Sequence, residues 1–292
     1  MADRKKRLES NAAGQFFVDA TCINCDACRQ LAPQTFQEVG DYSAVVRQPA
    51  GEVQIYRAYQ ALLACPVGSI GAEHPNSTYM DRAKAGFPLR LEGGVYYCGF
   101  NSEKSFGANS FFIHHPEGNW LIDSPRYIKH LVEAFEQKGG IRFIFLTHED
   151  DVADAGRYAE RFGAVCLIHR ADADAAPFAR WIIDGTTAQR LAPEFQAVPV
   201  PGHTPGSQAL LYKERFLFTG DHLWWEPDRG RLNSPTTLVS NREQLDGSIG
   251  RLLDHRFEWV LAGHGDRIRL PVDEMHHQLR RLMLRRQGVA KP

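Results

Sequence analysis

Ile141-Arg142-Phe143-Ile144-Phe145-Leu146-Thr147-His148-Glu149-Asp150-Asp151 is a mostly apolar run that stops at side chains able to bind metal or move protons. A short apolar run of this kind reads as a buried strand, and this one delivers an imidazole and carboxylates at its end. Three further stretches repeat the arrangement. Ala197-Val198-Pro199-Val200 precedes Pro201-Gly202-His203-Thr204-Pro205-Gly206-Ser207, Phe216-Leu217-Phe218 precedes Thr219-Gly220-Asp221-His222, and Trp259-Val260-Leu261 precedes Ala262-Gly263-His264-Gly265. Taken singly, a histidine after a strand is an ordinary loop residue and a Gly-Asp pair an ordinary turn. As a set they give imidazoles and carboxylates on rigid strand ends, the mixture that zinc and iron(II) bind.

In the order His148, His203, Asp221, His264 and in their flanks, the chain resembles the metallo-β-lactamase superfamily, with Asn119-Trp120-Leu121-Ile122-Asp123 as an early strand. The resemblance implies a four-layer αββα sandwich over residues 86–292, two β-sheets packed face to face between outer helices. It implies metal ligands at His148, His203 and Asp221, with Asp150 beside them and His264 on the side of a second metal. The family's first motif reads Thr-His-x-His-x-Asp-His, followed after two residues by Gly. Here Asp150 stands in place of the second histidine, and Val152 and Ala153 replace the Asp and His of the second metal. Neither has a lone pair to donate, so the resemblance implies a mononuclear or atypical site holding one zinc or iron ion, not a two-zinc centre. Persulfide dioxygenases are similar in binding one iron through the three remaining positions. Flavodiiron proteins are similar in having a carboxylate where Asp150 stands.

Working outward, the N-terminal part carries Cys22-Ile23-Asn24-Cys25-Asp26-Ala27-Cys28 and a distant Cys65-Pro66. Three thiols at this spacing plus a remote Cys-Pro suit a cubane [4Fe-4S] cluster. Zinc is the main alternative, but structural zinc prefers ligand pairs brought from opposite sides. Disulfides need an oxidising compartment that nothing here indicates. The segment resembles a single-cluster bacterial ferredoxin, with Ala64-Cys65-Pro66-Val67-Gly68-Ser69-Ile70 as its second matching stretch. The expected architecture is therefore α+β throughout, a ferredoxin-like domain with its linker over 1–85 and the larger domain over 86–292. Within the first part, strand-like pieces fall at Gln15–Ala20 and Ser43–Arg47, a helix at Val53–Ala64 stops at Pro66, and the polar stretch Gly71–Pro88 reads as the linker. A closing helix falls at Asp273–Arg286.

Single histidines and tryptophans take lesser roles. His114 and His115 read as strand-end surface residues, His169 as a lining residue of the pocket, and His222 as a contact to substrate or to the ligands. Trp224 and Trp225 read as core, as do Cys98 and Cys166.

A net charge of -1 offers no field to attract nucleic acid or an anionic membrane. The basic start Met1–Arg7 runs into Glu9, Ser10 and Asn11, not an apolar stretch, so the expected location is cytoplasmic. The partner is then a small-molecule substrate. Three functional readings follow. In the first, the larger domain is a metal-dependent hydrolase in which Asp150 is a fourth ligand or the catalytic base. In the second, it is an oxidoreductase whose mononuclear non-haem iron receives electrons from the cluster, an external electron donor or acceptor being required. In the third, the protein is a non-catalytic, redox-responsive binder.

Overall fold

The computed structural model describes residues 2–288. They form two compact units of mixed α and β structure: one runs up to Arg142 and takes in Ala153–Ala164, and the other holds Phe143–Val152 and the chain from Val165 on.

In the first unit, strand Phe16–Val18 pairs antiparallel with Ile70–Ala72, and Phe36–Val39 pairs with Tyr42–Val45 in a hairpin. Helix Gly51–Ala64 buries Ala58, Tyr59, Ala61 and Ala64 on one face and ends where Pro66 stops helical continuation. Then comes an antiparallel meander of Leu89–Glu92, Val95–Tyr97, Phe111–Ile113 and Trp120–Ile122. Phe112 of the meander stacks on Phe135 of helix Lys129–Gln137 at 4.8 Å, and Tyr158 packs edge-on against the same ring.

The stretch expected to be a linker is structured. Ile70–Ala72 is a strand and Ser77–Ala85 a helix. Its polar residues are a cap, not a loop: the Asn76 side chain accepts from the Tyr79 amide at 3.2 Å. Tyr79 stacks on Tyr59, and Arg82 lies over the rings of Tyr56 and Tyr79. Asparagine, serine and threonine serve both purposes, and only the partner across the turn tells them apart.

In the second unit, Phe143–Phe145, Val165–His169 and Trp181–Ile183 run parallel. A six-stranded sheet takes the order Gln189–Ala192, Phe195–Pro199, Gln208–Tyr212, Phe216–Gly220, Trp259–Ala262, Ile268–Arg269. Its one parallel pair is Phe216–Gly220 with Trp259–Ala262, in register Phe218↔Leu261. Alternate residues, among them Val198, Leu211, Leu217 and Val260, join Met275, Leu279 and Leu282 of helix Val272–Arg286 in one buried cluster, as the period of two along a strand requires. Gln208–Tyr212 and Phe216–Gly220 are buried on both faces, as in strands enclosed by a sandwich. Phe143–Phe145, Phe195–Pro199, Phe216–Gly220 and Trp259–Ala262 lead into His148, His203, Asp221 and His264. Among the described residues, no helix is long and apolar enough to cross a membrane.

Removing the cap that orders the 77–85 helix should be measurable. Asn76→Ala is expected to cost about 1 kcal/mol, read as a lower urea midpoint for the unfolding of the first unit. An unchanged midpoint would show that aromatic stacking alone holds the helix.

Candidate functional site

His148 leaves its strand in extended conformation, with its Nδ1 2.9 Å from the hydroxyl of Thr147. Gly220 makes that approach possible. A Cβ there would lie 2.5 Å from Thr147 Oγ1, and its φ of +50° favours glycine. Fixed at one ring nitrogen, His148 presents the other, Nε2, inward, where it is buried without a hydrogen-bond partner.

Around that atom the donors converge. His148 Nε2 lies 3.7 Å from Asp150 Oδ2 and 3.8 Å from Asp221 Oδ2. His203 Nε2 lies 3.2 Å from Asp150 Oδ2 and 3.7 Å from Asp221 Oδ2. Ligands on a tetrahedral shell with metal bonds of 2.0–2.2 Å stand roughly 3.3 to 3.6 Å apart. The donor set therefore fits one ion. The ligand atoms of His148, His203 and Asp221 all lie within 4.8 Å of one another, and Asp150, with its side chain 60% exposed, adds an oxygen on the solvent side. His264 stands beyond Asp221, with Nε2 3.8 Å from its Oδ2.

The electrostatics suit cation binding. Burial holds the His148 imidazole below its usual range, although Asp221 pulls the other way, so its nitrogen is free of a proton at neutral pH. The hydrogen bond from His203 holds Asp150 below the ordinary carboxylate range. Burial disfavours the charged form of His203, but the hydrogen bond to Asp150 and the charge of Asp221 outweigh it and raise the pKa. A metal would take the place of that proton.

Two residues at the site were not singled out by the sequence. Asp151, beside the expected ligands, turns inward and is buried, with Oδ2 4.0 Å from His148 Nδ1. Asp172 is also buried and ties two ligand loops together. Its Oδ2 accepts from the Glu149 amide at 3.1 Å and the Thr204 hydroxyl at 2.5 Å, and its Oδ1 accepts from the Gly206 amide at 2.8 Å. Nothing in Arg170-Ala171-Asp172 announces this; the only local signal is an acidic residue shortly after a strand end.

Other histidines differ from expectation. His115 is buried, and its Nδ1 accepts from the Glu117 amide, so it shapes a turn instead of facing solvent. His169 caps the 170–175 turn and reaches the Gly185 carbonyl, away from the donor cluster. His222 is sealed from solvent, and burial, with Arg286 nearby, pushes its pKa down to about 3. It is neutral and buried, next to Asp221 in the chain and within the field of His203. Trp225 packs on the core cluster, as expected.

Cys22, Cys25, Cys28 and Cys65 line one cavity with Val18, Ile23, Val67 and Ile70. Asn24 and Asp26 take left-handed φ values of 56° and 64°, which curls the loop so that the thiols face inward. Burial pushes Cys25 far up and Cys28 up to about 12. Cys25 and Cys28 become thiolates only where a cationic centre repays the desolvation, and with Cys22 and Cys65 on the same cavity the donor set fits an iron–sulfur group. Cys98 and Cys166 are buried, as expected.

Asp172→Asn keeps the shape but removes the charge from three hydrogen bonds. Supporting residues of this kind contribute about 10- to 100-fold in metal affinity. A loss of that order is expected in zinc competition against a chromophoric chelator, and unchanged affinity would mean the loops hold their ligands without it.

Comparison with known proteins agrees with both halves of the chain. Residues 18–72 match the family model of the 4Fe-4S single cluster domain of Ferredoxin I, and residues 93–281 match that of the metallo-beta-lactamase superfamily. The Beta-lactamase-like protein 2 homolog of Drosophila melanogaster is 26% identical over 209 residues, 63% of this chain and 67% of that protein. Among solved structures, DIM-1 metallo-beta-lactamase superposes with a TM-score of 0.51 at 13% identity, covering 69% of this chain and 96% of that one. BLEG-1 B3 metallo-beta-lactamase superposes with a TM-score of 0.50 at 17% identity, covering 63% and 97%. At such identities the superpositions speak for the fold alone. The family match spans well over half of the residues, and the chain belongs to the metallo-beta-lactamase superfamily.

Proposed function

We infer that the protein is a metal-dependent hydrolase with a single-ion centre, fused to a [4Fe-4S] segment. His148, His203 and Asp221 hold the ion, zinc or iron. The observation that carries this reading is the convergence of Asp150 Oδ2 and Asp221 Oδ2 on His148 Nε2 and His203 Nε2 at 3.2–3.8 Å, in a sequence whose Val152 and Ala153 offer no donors for a second ion. His264 borders the depleted side. A bound ion supplies Lewis acidity and lowers the pKa of a water towards about 7.

The chain's own groups do the rest. His148 and His203 offer ring nitrogens to the ion, His203 giving up the proton it shares with Asp150, and their loops are fixed by Thr147 and by the Asp172 hub. Asp150 faces solvent and is kept ionised by His203, so it either completes the ligand set or takes a proton from the attacking water. An ester, thioester or lactone carbonyl fits this chemistry. Cys22, Cys25, Cys28 and Cys65 hold the cluster, and we place the division between the two parts near residue 85.

A second reading has its own support: two histidines and one carboxylate also suit mononuclear iron(II), and the same chain carries a segment that matches a 4Fe-4S ferredoxin domain. In that case the protein is an oxidoreductase that exchanges electrons with an external partner.

Elemental analysis of protein purified without oxygen and without added metal tests both. About four iron, four sulfide and one zinc per chain support the hydrolase. About five iron with four sulfide and no zinc favour the oxidoreductase. Four iron and nothing more would leave only a redox-responsive binder. His148→Ala is expected to remove the non-cluster metal while sulfide stays unchanged; retained metal would overturn the ligand assignment.

A further inference from the structure

The helix that delivers Cys65 to the cysteine cavity is held by residues outside the cysteine segment. Helix Gly51–Ala64 ends at Cys65, and its last carbonyls have no partner within the helix. Two of them are met by residues of the stretch that matches the metallo-beta-lactamase family. Asn101 donates its amide to Ala64 O at 3.2 Å, and Arg126 donates from Nη2 to Leu63 O at 2.9 Å. Gly107 closes the cavity over Cys25: a Cβ there would lie 2.8 Å from Cys25 Sγ, and its φ is +86°. The loop is braced, because Asn101 Nδ2 donates to Gly107 O at 2.7 Å and the Tyr97 hydroxyl donates to Asn101 Oδ1 at 2.7 Å.

Arg126 is the charged residue at this helix end, two residues from Cys65 through its bond to Leu63. Its backbone is held at both ends, its amide donating to Phe100 O and its carbonyl accepting from the Tyr158 hydroxyl. Its Nε is buried with no hydrogen-bond partner, and among the described residues no carboxylate pairs with it. Burial works against its charge, and the neighbouring Cys65 works in favour of it. A guanidinium remains protonated in such a place. Arg29, the other cation near the sulfurs, differs in having Glu38 at 3.8 Å to offset it.

We propose that Arg126 sets the reduction potential of the cluster, its guanidinium supplying the one uncompensated positive charge against which the cluster takes up an electron. The proposal rests on the reading that Cys22, Cys25, Cys28 and Cys65 hold a [4Fe-4S] group. A core of charge 2+ with four thiolates carries a net 2−, and one electron from a one-electron donor brings it to 3−. No bond forms or breaks and no proton moves. In a low-dielectric wall the extra negative charge is costly, and a fixed cation lowers that cost. Arg126 acts through Cys65 and the helix end, so it is a positioning and tuning residue, not a catalytic one.

The test is a redox titration of the full-length protein with reduced viologen dyes, followed by electron paramagnetic resonance of the reduced cluster, after iron and sulfide are counted. Arg126→Gln is expected to keep its four iron and four sulfide and to weaken reduction about tenfold, a fall of about 59 mV in midpoint for one electron. Arg126→Lys, which keeps the charge, should stay near the parent value. A Gln variant with a full cluster and the parent midpoint would overturn the proposal, and so would a Lys variant shifted as far as Gln, since packing and not charge would then be the cause. If the Gln variant does not retain its cluster, Arg126→His decides. Its midpoint should fall as the imidazole loses its proton with rising pH, by more than the parent's does, and a pH profile parallel to the parent's would sink the proposal. Absence of iron and sulfide from the parent protein would instead refute the cluster reading.

Discussion

Two carboxylate oxygens directed at the same pair of imidazole nitrogens, all within 4 Å, set the terms for the second unit. Side chains in water do not stay in such an arrangement, because it costs rotamer freedom and crowds negative charge. His148 and Asp150 follow one strand and His203 and Asp221 two others, and the strands are locked by pairing such as Phe218↔Leu261. The Asp172 carboxylate then joins the loop after His148 to the loop after His203 through charge-assisted hydrogen bonds. The ordering entropy is met when the chain folds, so little remains to be met when an ion or substrate arrives.

How much of this was legible in the sequence follows from the range of each interaction. Ligands at strand ends are a local pattern, and His148, His203 and Asp221 were recognisable from the apolar runs before them. The cysteine spacing is local too, and the four residues named from it line one cavity. Asp172 was not legible, because its meaning lies in Thr204 and Gly206, more than thirty residues away in the chain. The helix at Ser77–Ala85 was misread for a similar reason: its polar start suits a loop equally well until Tyr59 is seen against Tyr79. His115 was expected at the surface because a histidine before Pro116-Glu117-Gly118 carries no mark of burial.

The two candidate centres present their donors in opposite ways. At the strand ends, a largely exposed carboxylate, Asp150, stands beside a fully buried imidazole, so one side is open to solvent and the other is rigid. That asymmetry suits exchange of small molecules. Among the cysteines, burial works against the thiolates of Cys25 and Cys28, and Cys28 and Cys65 are both buried. Such a cavity suits a group that is inserted once and then kept from water.

Gly107 leaves no room for a side chain between its own backbone and Cys25. The cysteine segment and the stretch that follows it therefore share a seam cut to sub-ångström tolerance. A ferredoxin segment borrowed from another protein would bring its sulfurs to a surface shaped for different ones. A side chain gained at position 107 would therefore have to be met by a shift of the loop that carries Cys25.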